Sequence, residues 1–170
     1  LLGLTLIESD KAREAISAFT ELLLIDPQNA GALYNLGLGY RRVKDNLAAI
    51  EAFENAVSIQ PDFLDAIANL SALYFEISNF EAAVKGYERV IALNPGYTEA
   101  YFNLALAQEA LGEPDRALNC YSQTLALDSG HLKALNNKGL ALSNKGFFPE
   151  AKDHFDRAIT LKPNFYEAYT

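Results

Sequence analysis

The chain alternates short apolar stripes with polar breaks, at a spacing that predicts pairs of amphipathic helices. The clearest example lies between positions 30 and 63, where two stripes are separated by the polar residues Lys44-Asp45-Asn46. The first stripe comprises Leu33, Leu36 and Tyr40, and the second comprises Ala49, Phe53, Ala56 and Val57. The stretch ends at Pro61. Proline disfavours a helical conformation in the residue that precedes it, so the second helix is expected to end there. The stretch therefore predicts two helices joined by a turn.

The same pattern returns along the chain with a period of 34 residues. Alanine and aromatic residues keep this step through five positions each, and asparagine keeps it through four. The three registers are Ala15, Ala49, Ala83, Ala117 and Ala151; Phe19, Phe53, Tyr87, Tyr121 and Phe155; and Asn35, Asn69, Asn103 and Asn137. A fourth register holds Pro27, Pro61, Pro95 and Pro163, with Ser129 in place of one proline. Several residue types locked to one period predict a tandem repeat of a two-helix unit.

This unit resembles the tetratricopeptide repeat, a helix-turn-helix motif of 34 residues. When each unit is numbered from Ala30, Leu36-Gly37 matches the motif at its seventh and eighth positions and Tyr40 at its eleventh. The alanine, aromatic and proline registers complete the match, whereas Lys138 departs from the leucine expected at the seventh position. The resemblance implies an all-α fold, a right-handed superhelical solenoid of antiparallel helix pairs.

In this register the whole chain, 1–170, is expected to form one array. Its units are a partial first repeat at 1–29, full repeats at 30–63, 64–97, 98–131 and 132–165, and the start of a sixth at 166–170. Ser9-Asp10 is expected to end one helix and to cap the next, which would run from about Lys11 to Ile25. Later breaks are expected at Lys44-Asp45-Asn46, at Ser78-Asn79-Phe80, at Gly112-Glu113-Pro114 and between Gly146 and Pro149.

Both ends of the expected array carry apolar residues, where a terminal repeat normally has a polar outer face. These residues are Leu1, Leu2 and Leu6 at one end and Tyr166 and Tyr169 at the other. The pattern favours either a segment of a longer array or a homo-oligomer that forms through the exposed repeat ends.

Charge and cysteine content restrict the classes of partner. The formal net charge of −8 argues against binding to nucleic acid phosphates and favours basic partners, although it is also what keeps a surface soluble. The apolar start at 1–7 has no preceding basic residue, so it is expected to be helix rather than a signal peptide, and no membrane insertion is expected. The single cysteine, Cys120, excludes an intrachain disulfide and favours a reducing, cytoplasmic location.

No constellation of residues points to catalysis. His131 and His154 lack metal-ligand partners at suitable spacing and are expected to be solvated. Cys120 has no histidine at helical spacing, so a packing thiol is expected. The glycines form neither a phosphate loop nor a dinucleotide fingerprint. We therefore expect a chain that is not an enzyme and that needs no cofactor or metal.

The resemblance implies that the first helix of each repeat lines a concave groove. The sixth position of each full repeat is asparagine, at Asn35, Asn69, Asn103 and Asn137. A primary amide carries both a donor and an acceptor, so this ladder could hold an extended peptide backbone. The alternative is that the asparagines tie adjacent helices together.

Other positions of the first helices are expected to set the polarity and charge of the groove lining. Apolar anchors and floor are expected at Tyr34, Leu38, Phe75, Phe102 and Leu106. An acidic middle is expected from Asp65, Glu76, Glu99 and Glu109, with basic ends at Arg41, Arg42 and Lys133. This lining would complement a peptide with apolar side chains and a basic centre, although a merely solvated face would carry similar residues.

Three functions fit these features. The first is a scaffold that binds a peptide or partner protein in its groove. The second is the substrate-presenting or regulatory arm of a larger enzyme, since the array is similar to the repeat arms of protein O-linked glycosyltransferases. The third is a self-assembly module that stacks through its repeat edges. In each case the chain itself is not the catalyst.

Overall fold

A computed structural model describes the backbone of residues 2–162 and the side chains of residues 11–162. The described chain is helical throughout, with short connections. Its helices are α1 (Leu2–Ile25), α2 (Ala30–Arg42), α3 (Asn46–Ile59), α4 (Leu64–Glu76), α5 (Phe80–Leu93), α6 (Thr98–Ala110), α7 (Pro114–Leu127), α8 (Leu132–Asn144) and α9 (Phe148–Leu161). The predicted all-α class is confirmed. The side chains of the predicted apolar ends, at Leu1, Leu2, Leu6, Tyr166 and Tyr169, lie outside the described residues, as does the predicted start of a sixth repeat.

Four sharp breaks separate the two helices of each full repeat at the predicted places. The residue at each break has a left-handed backbone, with φ of 64° at Lys44, 62° at Ser78, 76° at Gly112 and 84° at Gly146. Glycine adopts this φ without the steric cost that other residues incur. Proline then lies in the first turn of α7 and of α9, where its fixed φ suits a helix start.

The first repeat departs from this pattern. Helix α1 is continuous, so the predicted helix end and cap at Ser9-Asp10 is wrong. Asp10 holds the register of Lys44 but stays helical. Lys11 follows in the register of Asp45, whose side chain caps α3 by accepting a hydrogen bond from a backbone N–H at 3.2 Å. A lysine has no acceptor and cannot form this cap, so the new helix start is not favoured.

The chain divides into two compact units, Leu1–Asn79 (unit 1) and Phe80–Thr170 (unit 2). In unit 1, α1 packs on α2, α2 on α3 and α3 on α4. In unit 2, α5 packs on α6, α6 on α7, α7 on α8 and α8 on α9. Within each unit, neighbours in sequence are therefore neighbours in space, as tandem helix hairpins require. We call α2, α4, α6 and α8 the first helices of their repeats, and α3, α5, α7 and α9 the second helices.

The alanine and aromatic registers form the core of each unit. Ala49, Ala83 and Ala117 have no exposed surface, and the same is true of Phe53 and Tyr121. Small side chains let neighbouring helices approach closely, and the large ring fills the space that remains. The two registers therefore account for why the hairpins pack as they do.

The ring of Phe53 on α3 packs directly against Gly37 on α2. A Cβ built on Gly37 would lie 2.6 Å from Phe53 Cε1, and the same arrangement recurs between Gly139 and Phe155, also at 2.6 Å. Since no side chain fits at that distance, glycine at this position sets how closely the two helices of the hairpin approach.

We expect Gly37→Ala to lower the free energy of unfolding by up to about 2 kcal/mol, because overpacking costs about 1–3 kcal/mol and the gain in helix propensity returns about 1 kcal/mol. Gly31→Ala, on the same helix, is the matched control. Its added methyl would meet only Asn29 Oδ1, at 3.5 Å, so it should be neutral or stabilising. Urea denaturation followed by circular dichroism compares the two variants. Equal stabilities would contradict the ring-glycine contact.

Candidate functional site

In unit 1, four of the predicted groove residues meet between the first helices α2 and α4. Arg41 Nη1 donates to Asn69 Oδ1 at 2.8 Å, and Arg41 Nη2 donates to Glu76 Oε1 at 2.8 Å. Asn69 Nδ2 also donates to the hydroxyl of Tyr34 at 3.5 Å. The face predicted from the repeat register is therefore connected across two repeats by side-chain hydrogen bonds.

This network changes the charge pattern expected from the sequence. Arg41 was expected at a basic end and Glu76 in an acidic middle, but the two form an ion pair. Their side chains are 36% and 45% exposed, so the pair contributes at most about 1 kcal/mol to stability. Its main consequence is geometric, since it fixes the orientation of the Asn69 amide.

The other predicted residues of unit 1 lie on the same two helices. Asn35 is exposed, and its Nδ2 donates to the carbonyl of Gly31 at 2.8 Å within α2. Leu38 is half-buried against the core cluster around Phe53. The rest of the set comprises half-buried Phe75 on α4, exposed Arg42 on α2 and exposed Asp65 on α4. The face thus combines three kinds of side chain: half-buried apolar ones, polar ones held by hydrogen bonds, and polar ones exposed to solvent.

In unit 2, the buried hydroxyl of Tyr121 joins predicted residues from two first helices. Tyr121 OH donates to Glu109 Oε2 on α6 at 2.8 Å and accepts from Asn137 Nδ2 on α8 at 3.4 Å. Burial raises the pKa of Tyr121, and the hydrogen bond to Glu109 raises it further. The phenol therefore stays protonated and keeps donating to the carboxylate.

Phe102 does not serve as an exposed anchor, and that prediction is wrong. Only 9% of its surface is exposed, and its ring centroid lies 6.0 Å from that of Tyr121 and 4.8 Å from that of His131. Rings on two sides remove it from solvent, so it belongs to the core of unit 2. Leu106 packs half-buried against the same cluster. Asn103 is half-buried, whereas Glu99 and Lys133 are exposed.

Both histidines were expected to be solvated, and both are half-buried instead. His131 caps α8, because its Nδ1 accepts a hydrogen bond from the backbone N–H of Ala134 at 3.1 Å. Burial lowers the pKa of His154, and the nearby charges of Lys138 and Arg157 lower it further. Within residues 11–162, no group of His, Cys, Asp and Glu side chains could hold a metal ion.

Cys120 packs half-buried against the core cluster of unit 2. Burial raises the pKa of its thiol, which disfavours the reactive thiolate. The environment is that of a packing side chain. None of the helices between residues 2 and 162 is long and apolar enough to cross a membrane.

Sequence reasoning missed the polar role of Tyr121, which it assigned to the core by register. The available signal was the residue type: this register holds tyrosine at Tyr87 and Tyr121 and phenylalanine elsewhere, and a buried tyrosine usually needs a partner for its hydroxyl. The positions of Glu109 and Asn137 beside that hydroxyl could not be read from the period alone.

Comparison with known families decides the classification. Tetratricopeptide repeat profiles match residues 1–62, 98–131 and 132–165, and a profile described as a TPR repeat matches residues 72–112. A crystal structure of MamA is 31% identical to this chain, covers 94% of it and 96% of its own chain, and superposes with a TM-score of 0.86. The chain belongs to the tetratricopeptide repeat family.

Further solved structures agree with this fold. A second crystal structure of MamA protein is 30% identical, with coverage of 97% of this chain and 93% of that one and a TM-score of 0.83. YrrB, described as a TPR protein with an unusual peptide-binding site, is 24% identical, with coverage of 94% and 82% and a TM-score of 0.86. No curated protein matches the sequence. The predicted tetratricopeptide fold is confirmed.

Two tyrosines of this tetratricopeptide array should make its stability depend on alkaline pH. Burial and a hydrogen bond to Glu54 raise the pKa of Tyr74 to about 12, and the pKa of Tyr121 is also raised. Above a pH of about 10, the usual tyrosine pKa, the folded chain therefore binds more protons than the unfolded chain, and stability falls as the pH rises.

We expect Tyr121→Phe to lose less stability between neutral and strongly alkaline pH than the wild type, because the variant has no phenol to ionise at that site. Urea midpoints measured across this range would show the difference. Tyr101→Phe on α6 is the matched hydroxyl deletion. An equal change in pH dependence for both variants would show that the buried hydroxyl of Tyr121 does not control it.

Proposed function

We propose that this tetratricopeptide array is a non-catalytic scaffold that binds extended, basic segments of a partner protein along the first helices of each unit. The observation that carries the proposal is the side-chain amide of Asn103 on α6. This amide is half-buried, and among the described residues it has no hydrogen-bond partner. A primary amide in that state can donate to and accept from the backbone of a bound peptide.

The four members of the asparagine ladder do not share this property. Asn69 donates to the carbonyl of Asp65 at 2.9 Å and to Tyr34, and it accepts from Arg41. Asn137 donates to Tyr121. Both therefore already take part in contacts within the protein, and Asn35 does so through its hydrogen bond to the carbonyl of Gly31. This favours Asn103 as the member that holds a ligand.

The charge of the first helices favours a basic ligand. Asp65 lies in the first turn of α4 and Glu99 in the first turn of α6, and both are exposed. Carboxylates at these places also interact favourably with the positive helix N-terminus, so their presence alone does not require a ligand. A peptide with lysine or arginine would gain a second, salt-dependent attraction. YrrB, which shares the fold, is described as having a peptide-binding site, which supports a peptide as the ligand class.

We expect Asn103→Ala to weaken binding by about two- to ten-fold, which corresponds to one hydrogen bond of about 0.5–1.5 kcal/mol. The probe is the tightest binder from an array of short peptides that combine leucine with lysine, measured by calorimetry. Asn119→Ala, an exposed asparagine on the second helix α7, is the matched control and should bind like the wild type. If both variants bind equally well, the amide of Asn103 does not hold the peptide.

The same probe tests the charges. We expect the double variant Asp65→Asn with Glu99→Gln to bind more weakly and to show a shallower dependence on salt, because two screened attractions are removed. Glu51→Gln with Glu81→Gln removes two exposed carboxylates from the second helices α3 and α5 and is the control. An equal loss in the control would mean that net charge, rather than the first-helix face, attracts the peptide.

A further inference from the structure

An open groove of about 450 Å³ lies between α1 and α2 in unit 1. Its walls include Ala15 and Phe19 of α1 and Asn35, Leu38 and Arg42 of α2, and we call it the first-repeat groove. Ala15 and Phe19 are half-buried there. Their counterparts one period later, Ala49 and Phe53, have no exposed surface. The first-repeat groove is therefore open at a place that is filled in the following repeat.

In the following repeat, this place is filled by that repeat's own first helix. Gly37 on α2 lies against the ring of Phe53, and Arg41 on α2 binds Asn69 and Glu76 on α4. The α2 wall of the first-repeat groove has the same register, because Asn35 and Arg42 precede Asn69 and Glu76 by one period. Both walls of the groove are thus surfaces that another helix covers elsewhere in unit 1.

The sequence identifies the segment that fits. Residues 2–8 hold the positions of a first helix, and Gly3 has the register of both Gly37 and Gly139, the two glycines that lie against an aromatic ring. In this register Gly3 would face Phe19. The segment also contains Glu8, whereas Lys11 and Arg42 line the groove, so the charges are complementary.

Residues 2–8 cannot fill the first-repeat groove of their own chain while α1 remains continuous. Residues 2–8 and the Ala15–Phe19 wall belong to one uninterrupted helix, so the segment extends away along the helix axis instead of folding back. In the full repeats, the fold back requires a left-handed residue such as Lys44 or Gly146, and Asp10 at that register is helical. We propose that residues 2–8 of a second copy of this chain occupy the first-repeat groove, in a reciprocal pair of copies.

This proposal does not rest on peptide binding, and its first test needs no peptide. Light scattering coupled to size exclusion over a range of concentrations should show the mass rising from 18.7 kDa toward twice that value. Ala15→Arg should weaken dimerisation by at least about ten-fold, because it adds a large cation beside Lys11 and Arg42 where the apolar segment would pack. Ala18→Arg, the same change at an exposed position of α1, should dimerise like the wild type. A constant mass of 18.7 kDa, or equal dimerisation of the two variants, would overturn the proposal.

A disulfide experiment tests which residues meet. In chains that carry Cys120→Ser, we would mix Gly3→Cys, fused to a mass tag, with Ala15→Cys and allow oxidation. The proposal predicts that the mixed-chain disulfide forms faster than either same-chain homodimer. In the double variant at low concentration, an intrachain disulfide between the two new cysteines without mixed-chain product would show that the segment folds back on its own chain, and would also overturn the proposal.

Discussion

The helix hairpins of this protein depend on one contact. An aromatic ring of the second helix packs against a small residue of the first helix that precedes it. Where that residue is Gly37 or Gly139, the ring approaches so closely that any side chain would collide with it. The left-handed residues Lys44 and Gly146 allow the two helices on either side to turn back within three residues and bring ring and glycine together. Because one aromatic position and one small position recur together, the same local packing arrangement can be repeated along the chain.

This packing also determines which residues are available to a partner. Once the alanine and aromatic registers are buried, residues at the second, sixth, twelfth and thirteenth positions of the first helices remain able to form side-chain hydrogen bonds and ion pairs. Some of them are used within the protein, as when Arg41 joins Asn69 to Glu76 and when Tyr121 joins Glu109 to Asn137. Asn103, Asp65 and Glu99 remain the residues on which recognition would depend. In each unit, the hydrogen-bonded residues and the proposed recognition residues thus belong to the same first helices.

The period of the sequence was sufficient to predict the breaks between helices, because Lys44, Ser78, Gly112 and Gly146 all lie where the register put them. It did not predict how deeply a side chain is buried or whether a helix continues through a possible break. Phe102 holds a groove position but is buried, since the rings of Tyr121 and His131 come from elements that periodicity alone does not place beside it. Ser9-Asp10 has suitable capping residues, yet α1 continues through them, because a helix end needs a favourable start for the next helix as well.

The most direct test of the central claim, that the first helices form the recognition face, is to map a bound peptide by NMR. Backbone and side-chain amide shifts would be followed while a leucine- and lysine-containing peptide is added. The account predicts the largest shift changes at α2 and α4 in unit 1 and at α6 and α8 in unit 2, including the side-chain amide of Asn103. Changes concentrated on the exposed faces of α3, α5, α7 and α9 would contradict it.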